Sequence, residues 1–440
     1  MPNNRRKRDT CDEPKVGDGG ADCNDTNKKR SIANKLTFSD AAIQDPHLLM
    51  NGDDDEVQVE PQQTQVNGSE TSSKSQWTAH HSDRAGDIDV SPQQHLLLWV
   101  ENQSGTWWKH CSSPGYPEYK FRSHFQMGWE TFDMICDVLG SAIAKEDTPR
   151  RPAIPVRQRV AVCVWRLATG ESLRAVSDRF GLSLSTCQKI VLEVCAAICQ
   201  RLMPHFIRWP DQATDFKSSF QAISGLPNVV GAIYTTHLPI IKPKSHNSSY
   251  YNRGWSARNK KPSFTTTLQG VVDPNGIFTN VCIGWPGAMH DDEVLIRSEL
   301  QQHVGNGMMV VGGSSYPLMD WLLVPYTHQN LTREQQVFTE KVMKLRRVAV
   351  DAFARLKGRW MFLQKRAEMK TSELPSVIGA CCVLHNICEM KGEEMGPGLQ
   401  CDVIDVETVP EYHVHSASAS KARDKIAHNL YHSGLDGANF

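Results

Sequence analysis

The sequence predicts an α/β fold in which a mixed sheet follows a helical region and a long arm without regular structure. Three observations carry this reading: three strand-like runs in series between residues 228 and 285, an alternation of strand and helix patterns after them, and a set of helical periodicities between residues 119 and 205.

Each element has a local reason. Residues 1–95 are rich in Asp, Asn, Gln, Ser and Gly, show no apolar periodicity, and are interrupted by Asp53-Asp54-Asp55-Glu56 and Pro61-Gln62-Gln63. They are expected to be a disordered arm. The arm carries two basic clusters, Arg5-Arg6-Lys7-Arg8 and Lys28-Lys29-Arg30, of the kind read by nuclear import receptors. Within 119–205, Phe125, Phe132, Ile135, Val138 and Leu139 predict a helix over 121–143, and Val156 to Leu167 predict an amphipathic helix ending at Thr169-Gly170. Two shorter patterns, 172–180 and 184–191, flank Gly181-Leu182-Ser183. That is the arrangement of a helix-turn-helix, with Ser185, Thr186, Gln188 and Lys189 at the start of its second helix, where such side chains reach phosphates and base edges. A plain helical hairpin that only packs the next layer fits the same pattern.

Residues 225–392 hold the sheet. The segment 228–240 alternates apolar and polar residues, 264–272 is β-branched and closed by the turn cluster Asp273-Pro274-Asn275-Gly276, and 277–285 completes a meander. A helical pattern from Asp292 to about Val304, the apolar run 308–311, a long helix from about Thr332 to Leu363 and a last helix from Glu373 to about Lys391 follow. Residues 393–440 read as a polar tail with a short amphipathic helix over 420–432, which either docks a partner or folds back.

The motifs on this frame resemble the PIF/Harbinger transposase family and its plant-domesticated relatives similar to antagonist of like heterochromatin protein, over roughly residues 119–392. The family pattern Gly-Ala-(Ile/Met)-Asp-Gly-Thr-His-Ile-Pro stands as Gly231-Ala232-Ile233-Tyr234-Thr235-Thr236-His237-Leu238-Pro239, and Pro-Gly-Ser-x-His-Asp stands as Pro286 to Asp291. Gly-Asp-x-Gly-Tyr-Pro-Leu becomes Gly312 to Leu318, with Gly313 at the acidic position. Arg-x-x-x-Glu-x-Ala-Phe-Gly-x-Leu-Lys-x-Arg becomes Arg346 to Arg359, with Val350 at the acidic position. The resemblance implies a ribonuclease H-like, DDE transposase-like layer whose acidic residues would hold two Mg²⁺ ions.

Of that acidic set only Asp291 remains. Tyr234 offers a neutral phenol, Gly313 no side chain and Val350 hydrocarbon, whereas Mg²⁺ demands hard oxygen ligands. The expectation is a degenerate nuclease with no catalytic residues, no metal and no cofactor. Neighbours do not substitute: Asp351 is turned about 100° from Val350 on a helix, Asp273 suits a turn, and Asp291 suits a helix cap. His237 reads as a hydrogen-bonded core or rim residue. The alternative is an active metal-dependent DNA endonuclease of the same family, using Mg²⁺. The resemblance further implies a nuclear chromatin-associated or transcription-associated binding protein, with Myb/SANT-like partners and Polycomb-type complexes, and with DNA as a further candidate.

Basic residues support a nucleic-acid reading. Lys242, Lys244, Arg253, Arg258, Lys260 and Lys261 share one connection with Tyr250, Tyr251 and Trp255, and the long helix adds Lys341, Lys344, Arg346, Arg347, Arg355, Lys357 and Arg359. The net charge of −1 tempers it. At 440 residues and 40% hydrophobic content the chain can bury a large core. It has no secretory apolar region and no apolar run of 18 residues, so neither export nor a membrane span is expected. The 13 cysteines lack zinc spacing and several fall on apolar helix faces, as reduced core thiols do. Cys195, Cys199, His385 and Cys388 are accordingly read as core and not as a metal site.

Overall fold

The computed structural model describes residues 106–149, 152–210, 214–305, 307–396, 398–399, 401, 405, 409–410 and 416–436. The arm of residues 1–95, with Arg5, Arg6, Lys7, Arg8, Lys28, Lys29 and Arg30, lies outside the described residues. The helical region comprises α1 (Thr106–Cys111), α2 (Glu118–Phe125), α3 (Trp129–Ile143), α4 (Val156–Thr169), α5 (Leu173–Phe180) and α6 (Leu184–Arg201), followed by α7 (Thr214–Ser224). The single helix expected over 121–143 is two, because Gln126 takes a left-handed conformation, φ 60°, that ends α2.

Gly181, at φ 63°, ends α5, and the Ser183 hydroxyl caps α6 by accepting from the Thr186 backbone N–H. The two helices meet at a bend of 101°. Cys187, Ile190, Val191, Val194, Cys195 and Ile198 are the buried stripe of α6, which runs ten residues beyond the expected end at Val191.

The sheet has the order β3-β2-β1-β4-β5. Its strands are β1 (Val229–Ile240), β2 (Phe264–Val272), β3 (Phe278–Pro286), β4 (Met309–Val311) and β5 (Leu322–Leu323). The meander β1-β2-β3 is antiparallel, whereas β4 joins β1 and β5 joins β4 in parallel. This is the mixed α/β layer that the sequence predicts, with β5 added. The Asp273 carboxylate closes the β2–β3 turn by accepting from Asn275 N (2.8 Å) and Ile277 N (2.9 Å), so turn chemistry accounts for that acid.

Helix α8 (Arg253–Asn259) lies in the β1–β2 connection and α9 (Asp291–Arg297) after β3. The long helix α10 (Arg333–Arg359) begins with a full capping box between Thr332 and Gln335, a device worth about 1 kcal/mol. A 3₁₀ turn, Met361–Gln364, and α11 (Leu374–Met390) follow. The tail helix α12 (Ala417–Asp436) is longer than the sequence suggests and folds back. Ala427 is buried with Phe338 and Val342 of α10, with Ile426 and Leu430 beside them. Tyr326 Oη donates to Asp424 at 2.5 Å, and the Arg423 guanidinium stacks 3.8 Å from the Tyr326 ring.

Candidate functional site

Alternation along β1 sends Tyr234 and Thr236 to one face and Thr235 to the other. Tyr234 is 4% exposed. Its ring meets Phe353 edge-on at 5.3 Å and lies 5.3 Å from the Arg346 guanidinium. Arg346, Val350, Phe353 and Lys357 follow one another at helical intervals of three and four, so they form the stripe of α10 turned to this face of β1. Ala232 pairs with Val311 in the parallel β1/β4 ladder. Gly313 follows two residues after β4 ends. Of the four positions named from the sequence, Tyr234 is the one whose surroundings on this face are defined, by Phe353 and Arg346 of α10.

Asp291 is the first residue of α9, whose N-cap position is His290. With Asp292 and Glu293 it places three acids in the first turn, where they complement the helix dipole. Gln269 Nε2 donates to the Asp291 carbonyl (3.3 Å) and to Thr235 Oγ1 (3.1 Å), and Thr235 shares a 2.6 Å hydrogen bond with Tyr316. The Asp291 backbone therefore belongs to the Thr235 face, opposite Tyr234.

One carboxylate does reach the Tyr234 face, and it comes from the tail. Asp405 Oδ2 accepts from Tyr234 Oη (3.1 Å) and Thr236 Oγ1 (2.6 Å). Its Oδ1 accepts from the His237 backbone N–H (3.3 Å) and Trp255 Nε1 (3.4 Å). Lys357 Nζ donates to Thr236 Oγ1 (2.6 Å) and the His237 carbonyl (3.1 Å). Burial lowers the Lys357 pKa and Asp405 opposes that. Burial alone would raise the Asp405 carboxyl, but Lys357 and the donors from Thr236 and His237 outweigh it and hold the carboxyl below its ordinary range. The His237 imidazole shares a 3.2 Å hydrogen bond with Thr265 Oγ1, and burial pushes it down to about 4.

Gly358 explains how the tail arrives. A Cβ there would overlap the Leu399 carbonyl oxygen, so the chain runs directly over the helix between Lys357 and Arg359. Two Mg²⁺ ions do not fit these residues. A phenol, a glycine and a valine stand at three of the positions where the family motifs carry acids, and the Asp405 carboxylate lies in the field of the Lys357 ammonium, which would repel a divalent cation.

Residues 233–386 match the family described as DDE superfamily endonuclease. The chain is 33% identical to Protein ALP1-like of Arabidopsis thaliana over 65% of its own length and 75% of that protein. It is 33% identical to Antagonist of like heterochromatin protein 1 of Arabidopsis thaliana over 69% of its own length and 81% of that protein. The chain belongs to the Harbinger transposase-derived family. A more distant relative, HARBI1 of Homo sapiens, provisionally named a nuclease, is 28% identical over 67% of this chain and 84% of that protein. No solved structure matches. The matched endonuclease segment ends at residue 386, before the tail that supplies Asp405.

The other residues singled out in the sequence lie elsewhere in this family fold. Ser185, Gln188 and Lys189 are exposed on the first turns of α6, and Thr186 is half-buried. Three of these already have partners: the Ser185 and Thr186 hydroxyls lie 3.2 Å and 2.7 Å from Ser183 Oγ, and Lys189 Nζ is 3.9 Å from Glu193. Lys260 and Lys261 are exposed at the end of α8. Trp255, expected as a stacking surface, instead turns its indole N–H to Asp405. The cationic face expected along α10 is divided: Lys344 and Arg347 are exposed and Lys341, Arg346 and Arg355 are half-buried. Lys357 and Arg359 are buried, Arg355 pairs with Glu389 (3.1 Å), and Arg347 pairs with Asp351 (2.7 Å).

The eleven described cysteines are free thiols, ten of them buried. Cys199 donates to the Ser376 carbonyl (3.3 Å), Cys388 to that of Gln126 (3.7 Å), and His385 Nε2 meets the Gly276 carbonyl (3.2 Å). Burial holds His385 down near 3, as a core imidazole requires. Asp405 and the pairing of Lys357 with it were missed from sequence, and their one local trace is Gly358 at the free position of Leu356-Lys357-Gly358-Arg359.

Proposed function

We propose that this chain is a domesticated, catalytically silent transposase that acts in the nucleus by binding and not by cutting DNA. The observation that carries the reading is a buried polar cluster on the Tyr234 face of β1. Tyr234, Gly313 and Val350 stand where the family motifs carry acids, and Asp405 and Lys357 meet on Thr236 Oγ1, with Asp405 also accepting from Tyr234. Family membership supports a partner role. The name of one relative, Antagonist of like heterochromatin protein 1, ties that relative to chromatin, and Myb/SANT-like proteins and Polycomb-type complexes are the proposed partners here. DNA contact by α5 and α6 is the subsidiary proposal, through Ser185, Gln188 and Lys189, with Lys260 and Lys261 as further cations. The bend of 101° between the two helices is within the helix-turn-helix range.

The competing reading is a metal-dependent endonuclease, supported by the name of the HARBI1 relatives. One assay separates them. Purified full-length protein incubated with Mg²⁺ or Mn²⁺ and duplex DNA is expected to cleave no more than its Asp291→Ala variant; metal-dependent cleavage abolished by that substitution would establish the endonuclease. Nuclear residence is tested by replacing Arg5, Arg6, Lys7, Arg8, Lys28, Lys29 and Arg30 with Ala in a fluorescent fusion, which is expected to move to the cytoplasm. Affinity purification from nuclei then identifies the partners, and the absence of any chromatin-associated protein would count against the binding role.

A further inference from the structure

Helix α12 carries His428 and His432 four residues apart, so both imidazoles leave one helical face. Their rings are 4.2 Å apart. Both point across to Glu334 in the first turn of α10, where a single carboxylate oxygen lies 3.1 Å from His428 Nδ1 and 3.5 Å from His432 Nε2. All three candidate ligand atoms fall within 4.8 Å of one another.

A tetrahedral zinc ion with bonds of about 2.0–2.1 Å sets its ligand atoms roughly 3.3 Å apart. The two spacings to Glu334 bracket that value. The donor set is also selective: two imidazoles and one carboxylate suit zinc and its late transition-metal neighbours, whereas Mg²⁺ and Ca²⁺ require more oxygen ligands. Both histidines are exposed and Glu334 is half-buried, so an ion can enter without unfolding the chain and still have room for a fourth ligand from solvent.

We propose that Glu334, His428 and His432 form a three-ligand site for a divalent transition metal, zinc foremost, which staples the tail helix α12 to the start of α10. The two elements are already joined by Ala427, Ile426 and Leu430 on Phe338 and Val342. A metal bridge at the outer end would add a contact that only the docked tail offers, and docking would then strengthen with zinc concentration by mass action.

The test uses the chelator-stripped full-length chain and its His428→Gln/His432→Gln double variant, with zinc sulfate titrated calorimetrically and amide exchange followed across residues 417–436. The parent is expected to bind one more equivalent of zinc than the double variant and to slow exchange in 417–436 when zinc is added; Mg²⁺ should do neither. Glu334→Gln is expected to retain the fold and bind zinc more weakly by at least the roughly 10- to 100-fold seen when an outer-shell partner is lost. Equal zinc stoichiometry and affinity in parent and double variant would overturn the site. An extra zinc that left exchange in 417–436 unchanged would overturn the staple. Circular dichroism on each variant separates loss of ligand from loss of fold.

Discussion

Lys357 and Arg359 are two residues apart on α10, both buried, and turn to different partners. Arg359 donates to the carbonyls of Gln126 (2.9 Å) and Glu393 (2.7 Å) and stands 3.5 Å from the Glu389 carboxylate. It ties the sheet-bearing layer to the end of α2, to α11 and to the first residue of the tail. Lys357 faces Thr236 and His237 of β1, and Asp405, whose charge opposes its burial, arrives on the tail. The tail also sends the Glu393 carboxylate to Gly128 N (3.1 Å), Thr131 and Arg122. The comparison teaches that the same short motif sends one charge to backbone carbonyls and a helix carboxylate and the other to a strand of the sheet, and that the tail supplies an acceptor or a carboxylate near each.

The first way to sharpen the contrast is to remove the architectural charge. Arg359→Leu leaves the Gln126 and Glu393 carbonyls buried without their donor and Glu389 with Arg355 alone, and breaking a buried pair of this kind costs about 3–5 kcal/mol. Urea unfolding of the full chain is expected to show a loss of that size. A change below about 1 kcal/mol would mean that solvent reaches the junction.

Asp405→Asn should cost less, about 1–3 kcal/mol, because the tail can lift and let water reach Lys357. A double-mutant cycle with Lys357→Met decides whether the pair acts as proposed. Removing both charges is expected to recover most of the loss, and strictly additive losses would show that Asp405 does not answer Lys357.

How much of this was legible depended on the range of the forces involved. The strands around residues 229–240, 264–272 and 278–286, the start of the long helix near Thr332, and the turn at Asp273 were readable because alternation, helical period and turn chemistry are local. The break at Gln126 was not, because a non-glycine residue at positive φ leaves no mark in composition. Strand β5, two residues long, is too short for any period. Tyr234, Gly313 and Val350 were named from motif comparison, but the carboxylate that meets Tyr234 comes from 171 residues away in a polar stretch. Nothing local distinguishes that aspartate from its acidic neighbours. The basic stripe of α10 was misjudged for the same reason: a sequence lists the charges of Arg355, Lys357 and Arg359 but not the carboxylates that meet them.

Titration offers a gentler probe of the same interior. Burial lowers the His237 pKa to about 4 and the His385 pKa to about 3, against an ordinary value of 6.5. Between the folded and ordinary values the unfolded chain takes up protons that the folded chain refuses. Stability therefore rises with pH across about 4 to 6.5 and is lost as pH falls through that window. The lowered Asp405 carboxyl acts further down, its contribution being lost only as pH drops below the usual carboxylate value of 3.8. Unfolding midpoints measured at pH 5 and pH 7 should differ in that sense, and His237→Asn should reduce the difference. An unchanged pH dependence in His237→Asn would show that the imidazole is not held neutral by the fold.

The smallest effect on stability is expected at the opposite end, on α6. Gln188 and Lys189 are exposed, Lys189 makes only a 3.9 Å surface pair with Glu193, and such pairs contribute roughly 0–1 kcal/mol. Gln188→Ala with Lys189→Ala should therefore leave the unfolding midpoint within about 0.5 kcal/mol of the parent. That neutrality makes the double variant a clean probe of DNA contact. If α6 lies against DNA, losing the Lys189 phosphate contact should lower the slope of log affinity against log salt by about one unit, and the loss should be nearly the same across unrelated sequences. If partners alone hold the protein on chromatin, the same variant will show the parent's salt slope and the parent's nuclear complexes. The Asp405 and Arg359 variants cannot make this distinction, because they disturb the fold that presents α6, whereas this substitution changes only what α6 offers to solvent.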